Sequence, residues 1–148
     1  CGAELVPEFV RDFAERKGGE ISFSDHGPIA RGQMALEDEH IARAERLIVQ
    51  DTDLLSTVVY CRHYFGQCPR WIEDAARERR PALYLLCLPD IPWIADGVRD
   101  RGDRRDEMHR LFVDEVAASG IPFVEVAGSF EARATFAEAV VEKLLKDE

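Results

Sequence analysis

The stretch Arg46-Leu-Ile-Val-Gln-Asp-Thr-Asp-Leu-Leu55 decides the fold class of this chain of 148 residues. An apolar run of strand length ends in acids and passes directly into the apolar start of a helix. Further strands are predicted over residues 4–7, 82–88 and 122–126, each followed by a segment with helical character. Strands that are apolar throughout and alternate with helices are typical of a parallel sheet that helices cover on both faces. The sequence therefore predicts an α/β protein.

The segments between these strands begin and end with residues that are common at helix borders. Ser24 and Asp25 are capping residues in front of the longest segment, and Ser129 takes the same place before the last one. Gly18, Gly66 and other glycines follow the helical segments, where helices commonly end. No repeat or low-complexity linker interrupts the chain, which predicts a single domain over residues 1–148. The predicted helices cover residues 8–17, 24–44, 54–65, 69–80, 106–119 and 130–146.

Composition excludes several classes of function. The chain has 19 Lys and Arg against 29 Asp and Glu, and its net charge of −10 repels nucleic acids and anionic membranes. No apolar run approaches the roughly 20 residues that cross a bilayer. The cysteines lack metal-binding spacing, and Cys61 and Cys87 lie in apolar sequence. We therefore predict buried, reduced thiols, no structural zinc and a cytoplasmic protein.

Two acids, Asp51 and Asp53, follow the strand of the opening stretch. Ligands of parallel sheets bind at the carboxyl ends of the strands, where carboxylates can hold Mg²⁺ through water or bind ribose hydroxyls. Helix capping is the alternative, for which Asp53 before Leu54 is a good residue, and we expect one acid to cap and the other to function. A phosphoaspartate enzyme of the haloacid-dehalogenase type and a receiver domain are disfavoured, because no lysine lies between Lys17 and Lys143.

Glu8 follows the first predicted strand, and Arg11 lies about one helical turn later. A carboxylate at this place can accept a proton from a substrate hydroxyl, and the arginine can bind phosphate. The spacing alone favours the simpler interpretation, an ion pair within the helix.

Residues 89–105 form an irregular stretch that is rich in Pro, Gly, Asp and Arg. Trp93 lies between two acids and can stack an aromatic or cationic ring. The arginines can close over a polyphosphate as a lid and neutralise the charge that develops during transfer. The alternative is a solvated loop with internal Asp–Arg pairs, but the tryptophan and the clustered arginines favour binding. These arginines are Arg99, Arg101, Arg104 and Arg105.

Four strings of this sequence, in this order, resemble the ribosylnicotinamide kinase domain of bacterial NadR-type proteins. That group consists of P-loop small-molecule kinases, related to nucleoside kinases, within the AAA-like NTPases. The resemblance covers nearly the whole chain, and its last string is the most specific. The strings are Pro7-Glu-Phe-Val-Arg-Asp-Phe13, Ser24-Asp-His-Gly-Pro-Ile-Ala-Arg-Gly-Gln33, Asp51-Thr-Asp-Leu-Leu-Ser-Thr57 and Pro92-Trp-Ile-Ala-Asp-Gly-Val-Arg99.

The resemblance implies ATP-dependent phosphorylation of the 5′-hydroxyl of ribosylnicotinamide, giving nicotinamide mononucleotide in NAD salvage. It implies ATP and Mg²⁺ as cofactors and a nucleoside as substrate, with no nucleic-acid or membrane partner, and it allows a homo-oligomer. The residue roles that it implies, in chain order, are these: Glu8 as base or positioner of the hydroxyl, Asp51 and Asp53 on Mg²⁺-linked water or ribose, Trp93 stacked on the pyridinium, Asp96 as counter-charge or hydroxyl acceptor, Arg99 and Arg101 with Arg104 or Arg105 as lid arginines, and Gly128 and Ser129 where such kinases contact adenine. Arg11 is also predicted as a substrate-binding residue, because its guanidinium can hold phosphate.

Members of this group open with a strand, a Gly-rich phosphate loop ending Gly-Lys-Ser/Thr and a helix, and these 148 residues contain no such string. A unit of that kind takes roughly 30 residues. We therefore expect a trimmed piece of a longer kinase, of which residues 1–148 are one incomplete domain. A degenerate relative, acting as a non-catalytic sensor of a nucleotide or pyridine ligand, is the alternative. A kinase for another small hydroxyl substrate is a third interpretation.

Overall fold

Parallel strands form the framework of the protein, as the apolar segments predict. A computed structural model of the chain describes residues 2–92 and 104–147. Strand β1 (Ala3–Val6) pairs in parallel with β2 (Leu47–Gln50), and β3 (Tyr84–Cys87) pairs in parallel with β4 (Phe123–Val126). The first pair belongs to an N-terminal unit of residues 2–80, and the second to a C-terminal unit that begins at Pro81. The single domain over residues 1–148 stays a prediction.

Helices follow the strands in both units. In the N-terminal unit the first two are α1 (Phe9–Lys17) and α2 (His26–Arg43), and the next two are α3 (Leu54–Phe65) and α4 (Arg70–Glu78). The C-terminal unit contains α5 (Arg105–Ser119) and α6 (Phe130–Asp147). These bounds agree with the predicted helices to within about two residues, the usual scatter at helix ends.

Asp25 is the N-cap residue of α2, as predicted, but its side chain makes no cap hydrogen bond to this helix, and a short 3₁₀ turn over Phe23–Asp25 precedes it. Asp25 closes a capping box with Ser22, whose backbone N–H donates to Asp25 Oδ2 at 2.7 Å. Lys17 also donates to this carboxylate, and these hydrogen bonds hold the pKa of Asp25 well below its usual range. Ser24 and Asp25 therefore belong to the turn, and the cap residue of that turn is Ser22.

The core of the N-terminal unit lies among α2, α3 and α4. Ala30, Leu54, Val58 and Ile72 form its buried cluster, against which Cys68 packs. Cys61 is buried, as predicted. Burial raises the pKa of the Cys68 thiol to about 12, and the neighbouring Cys61 contributes a smaller part of this increase.

In the C-terminal unit the prediction of a buried Cys87 is wrong, because this side chain is exposed. Successive residues of a strand face opposite sides of the sheet, and Leu86 takes the buried side of β3.

The described residues include no helix that is long and apolar enough to cross a membrane. They also include no group of three or more His, Cys, Asp or Glu side chains arranged to hold a metal ion.

Candidate functional site

The carboxyl ends of β1 and β2 lie side by side, so the residues that follow them share one edge of this strand pair. Val6 is the register partner of Gln50, and the Asp51 N–H donates to Val6 O at 3.0 Å. Glu8 stands two residues beyond Val6 in the chain. The structure therefore brings the backbone of Glu8 and Asp51 to the same edge, where parallel strands commonly bind ligands.

The two acids after β2 have different local roles. Asp53 is the cap residue of α3, and its Oδ1 accepts a hydrogen bond from the Ser56 N–H at 3.2 Å. Asp51 is exposed. Of the alternatives that the sequence left open, capping therefore falls to Asp53. Asp51 is the better candidate for a ligand contact.

Thr52, between these acids, has a left-handed backbone with φ of 69°. Left-handed backbone is uncommon outside glycine and costs most at a β-branched residue such as threonine. Such strain persists only where the surrounding structure imposes it, and it is frequent at functional sites. The strained residue thus lies between the two predicted ligand-binding acids.

Replacing Thr52 by Gly should raise the free energy of unfolding by about 0.5–1 kcal/mol, because glycine adopts this backbone without strain. Urea unfolding of both proteins measures the difference. The matched control is Thr57→Gly inside α3, where glycine should lose a few tenths of a kcal/mol instead. A destabilised Thr52→Gly protein would show that the threonine side chain stabilises this turn more than its backbone strains it.

Glu8 and Arg11 form the ion pair that their spacing predicts. Arg11 Nε lies 3.5 Å from Glu8 Oε2, and the two side chains remain 34% and 22% exposed, respectively. Glu8 is the residue before α1 in extended backbone, but its side chain does not cap that helix. The pair leaves both groups in contact with solvent, so a ligand can still reach them.

Gln33 is a site residue that the sequence analysis did not identify. It lies in α2 with only 3% of its surface exposed. Its Oε1 accepts from the Phe9 N–H at 2.9 Å, and its Nε2 donates to Pro7 O at 3.4 Å. These two backbone groups are on either side of Glu8. No local signal marks this contact, because α1 and α2 meet only after the chain folds.

In the C-terminal unit a buried arginine joins the ends of β3 and β4. Arg133, in α6, is 9% exposed, and its guanidinium pairs with the Asp90 carboxylate. Its Nη2 also donates to Leu88 O at 2.9 Å, and its Nε donates to Gly128 O at 2.8 Å. The Gly128 N–H in turn donates to Asp90 Oδ2 at 2.6 Å. This network, which we call the Asp90–Arg133 network, fixes the loop that contains Gly128.

The loop after β4 has the local structure that its sequence predicts. Ser129 Oγ accepts from the Ala132 N–H at 3.2 Å, which confirms the predicted cap of the last helix. Gly128 has a left-handed backbone with φ of 91°, a conformation in which glycine is favoured. Its place beyond a strand end is compatible with the predicted adenine contact, which no observation tests.

The predicted lid is described only at its end. Arg104 Nη2 donates to Glu107 Oε1 at 2.6 Å, and Arg105 is the first residue of α5. The pairing of Arg104 resembles the internal Asp–Arg pairs that were the alternative to a lid. The remaining predicted residues of this stretch, Trp93, Asp96, Arg99 and Arg101, lie outside the described residues.

Parallel strands that alternate with helices, with acids and Gly128 after their carboxyl ends, define an α/β protein. The sequence comparison is more specific. The family described as "AAA domain" matches residues 1–133, and the chain belongs to this family.

Curated relatives and a solved structure agree with this assignment. The chain is 32% identical over 125 residues to the Trifunctional NAD biosynthesis/regulator protein NadR of Escherichia coli K12. It is 30% identical over 125 residues to the protein of the same name from Salmonella typhimurium LT2. Both alignments cover 80% of this chain and 30% of the relative, so the chain spans less than a third of their length.

The structural likeness is to a NadR protein whose crystal structure was solved in complex with NAD and AMP-PNP. Its TM-score is 0.73 at 19% identity, covering 87% of this chain and 38% of the other. This likeness confirms the predicted fold class. Together with the relatives it also confirms the resemblance to NadR-type proteins.

Proposed function

We propose that this chain is part of a kinase that transfers the γ-phosphoryl group of ATP to the 5′-hydroxyl of ribosylnicotinamide or a similar nucleoside. The observation that carries the proposal is the 32% identity to a NadR protein named for NAD biosynthesis. The position of Glu8 and Asp51 at one edge of the β1–β2 pair supports it, because phosphoryl transfer needs an oriented hydroxyl and a place for the metal nucleotide.

In this mechanism Glu8 accepts the proton of the 5′-hydroxyl. As that oxygen forms its bond to the γ-phosphorus, the bond from the γ-phosphorus to the bridging oxygen of ATP breaks, and ADP leaves with the electron pair. Arg11, whose Nε lies 3.5 Å from Glu8 Oε2, is proposed to stabilise negative charge on the phosphoryl group. The lid arginines, Arg99 and Arg101 with Arg104 and Arg105, are proposed to act on the same charge.

The donor chemistry at the end of β2 fits Mg²⁺, which prefers oxygen ligands and usually binds through one or two carboxylates together with water and phosphates. Asp51 would hold the ion, because it is the exposed acid of the pair. When bound, Mg²⁺ neutralises charge on the phosphates. Asp53, whose Oδ1 caps α3, is proposed to contact ribose through its carboxylate. Gly128 and Ser129 are proposed to contact adenine.

The test is an assay of the full-length gene product for ATP-dependent phosphorylation across a panel of nucleosides that includes ribosylnicotinamide. Formation of the 5′-monophosphate and ADP in equal amounts is the expected result. Absence of turnover with every nucleoside, from a folded protein that binds ATP, would overturn the proposal.

A substitution at Trp93 tests the substrate class. Trp93→Ala should raise KM for a pyridinium nucleoside about tenfold, because the stacking of a cation on an aromatic face is lost. KM for ATP should change much less. Trp71→Ala is the control, since Trp71 lies under Arg31 in the N-terminal unit and not in the proposed loop. Equal changes in both KM values at Trp93 would remove its stacking role.

A second candidate function is a sensor that binds the nucleotide or pyridine ligand without catalysis. The names of both relatives include the word "regulator", which supports this second function. Calorimetry together with the phosphorylation assay separates the two functions, because a sensor binds its nucleotide or pyridine ligand and forms no product. A cytoplasmic location and a homo-oligomeric state stay predictions.

A further inference from the structure

We propose that Gln33 is a positioning residue that fixes the backbone from which the Glu8 carboxylate reaches the substrate hydroxyl. Its amide binds Pro7 O and the Phe9 N–H, at 3.4 and 2.9 Å. The first group belongs to the peptide unit before the Glu8 Cα, and the second to the peptide unit after it. The inference rests on the role of Glu8 in the proposed function.

Holding both peptide units fixes the backbone of Glu8. The two soft angles of a residue are the rotations of its flanking peptide planes about Cα, and they set the direction of the Cα–Cβ bond. Glu8 has φ of −74° and ψ of 111°, an extended conformation immediately before a helix. A single side chain thus restrains both angles at the residue that carries the proposed base.

The amide side chain of Gln33 offers the donor and the acceptor that this contact requires. Gln presents an acceptor oxygen and a donor NH₂ group side by side, whereas a carboxylate has no donor when ionised and an aliphatic chain has neither. Gln33 is 3% exposed, so water competes little for these hydrogen bonds. Its removal would leave the Phe9 N–H, at the start of α1, without this acceptor.

The residue next to Gln33 restrains the same segment by packing. A Cβ atom at Gly32 would lie 2.2 Å from two atoms of the Phe9 ring, far closer than any real contact. The absence of a side chain at Gly32 therefore lets this ring lie directly against α2. Gly32 and Gln33 together hold the ring and the backbone N–H of Phe9.

This arrangement also frees the Glu8 side chain from capping α1. A residue in front of a helix commonly caps it with its own side chain, but Glu8 makes no such hydrogen bond to α1. Gln33 supplies the acceptor from another helix. The Glu8 carboxylate is thereby left to pair with Arg11 at the edge of the strand pair, where the hydroxyl substrate is proposed to bind.

The test is a double-mutant cycle in the full-length gene product, with Gln33→Met and Glu8→Gln made singly and together. Gln33→Met keeps the length of the side chain and removes both hydrogen bonds. It should lower kcat about 10–100-fold through misplacement of the base. KM for ATP should change less than about threefold, since Gln33 is not proposed to take part in the binding of ATP. In the Glu8→Gln background the same change should cost less than about threefold, because residues that act through one another are not additive.

Val58→Ala is the matched control for a merely structural effect. Val58 is a core residue of the same unit with 2% exposure, and its truncation should lower the urea midpoint of unfolding. Its effect on kcat should be the same in both backgrounds. Hydrogen exchange of the Phe9 amide, measured by NMR, should accelerate in Gln33→Met and stay slow in Val58→Ala. The measurement is made without denaturant, at a temperature well below that of unfolding.

The outcomes separate the inference from the proposed function. Equal losses from Gln33→Met with and without Glu8 would overturn the positioning role while the kinase stands. Unchanged protection of the Phe9 amide would do the same. A full-length protein that binds ATP and phosphorylates no nucleoside would overturn both.

Discussion

The Glu8→Gln protein is expected to lose about 10²–10⁴-fold in kcat for nucleoside phosphorylation, the usual contribution of a general base. Glutamine has nearly the same shape but cannot take up the hydroxyl proton. KM for both substrates should change by less than about threefold, because the carboxylate acts mainly on the reacting oxygen. Steady-state assays with ATP and the nucleoside varied in turn measure both parameters.

The matched control for this substitution is Glu15→Gln, an exposed acid of the same helix that should leave kcat unchanged. Arg11→Met distinguishes the base from a simple ion-pair partner. If Glu8 only anchors Arg11, the two substitutions should lower kcat equally, and the double variant should be no worse than either. A Glu8→Gln protein with full activity would remove Glu8 from the mechanism and return it to the plain ion pair that its spacing favours.

Asp90→Ala should lower the free energy of unfolding by about 2–3 kcal/mol. Removal of one partner from a fully buried ion pair costs about 3–5 kcal/mol, because the other charge is left uncompensated. The cost is smaller here because the Asp90 side chain is 39% exposed, whereas that of Arg133 is 11% exposed. The Gly128 N–H loses its acceptor in the same substitution. Urea unfolding, followed by circular dichroism, measures the change.

A second substitution shows whether the uncompensated charge is the cause. Asp90→Ala combined with Arg133→Met removes both charges and keeps most of the arginine stem, so it should be less destabilised than the sum of the single changes. Glu138→Ala, an exposed acid of α6, is the control and should stay within about 0.5 kcal/mol of the wild type. If Asp90→Ala equals this control, the network does not stabilise the loop at Gly128.

The predicted helix borders are confirmed where the signals are local in the sequence. Helix α3 spans Leu54–Phe65 as predicted, because Asp53 caps it and Gly66 ends it in left-handed backbone. The same holds for the serine before α6. Before α2 the sequence predicted Asp25 at the N-cap but not the 3₁₀ turn, whose capping box begins at Ser22 and not at Ser24. Capping residues that lie two positions apart cannot be ranked without the geometry of the turn.

Some features of the candidate site could likewise be predicted from the sequence, whereas others needed the structure. Acids after strand ends could be found from the sequence, because parallel strands gather their carboxyl ends at one edge. The hydrogen bond from the Ser56 N–H confirms Asp53 as the cap, and the structure shows Asp51 as the exposed acid. The exposure of Cys87 also needed the structure, since an apolar strand does not reveal whether one or both of its faces are covered.

By itself, the sequence determined the alternation of strands and helices, most of their borders, and the resemblance to NadR-type proteins. These follow from periodicity, capping and motif order, which act between residues near each other in the chain. Only the tertiary structure decided that Gln33 holds the peptide units around Glu8, 24 residues away from its Phe9 partner. It alone joined Arg133 to Leu88, 45 residues earlier. Such contacts depend on how whole helices and strands pack. The hydrogen bonds of a buried amide or guanidinium form only when that packing brings distant residues together.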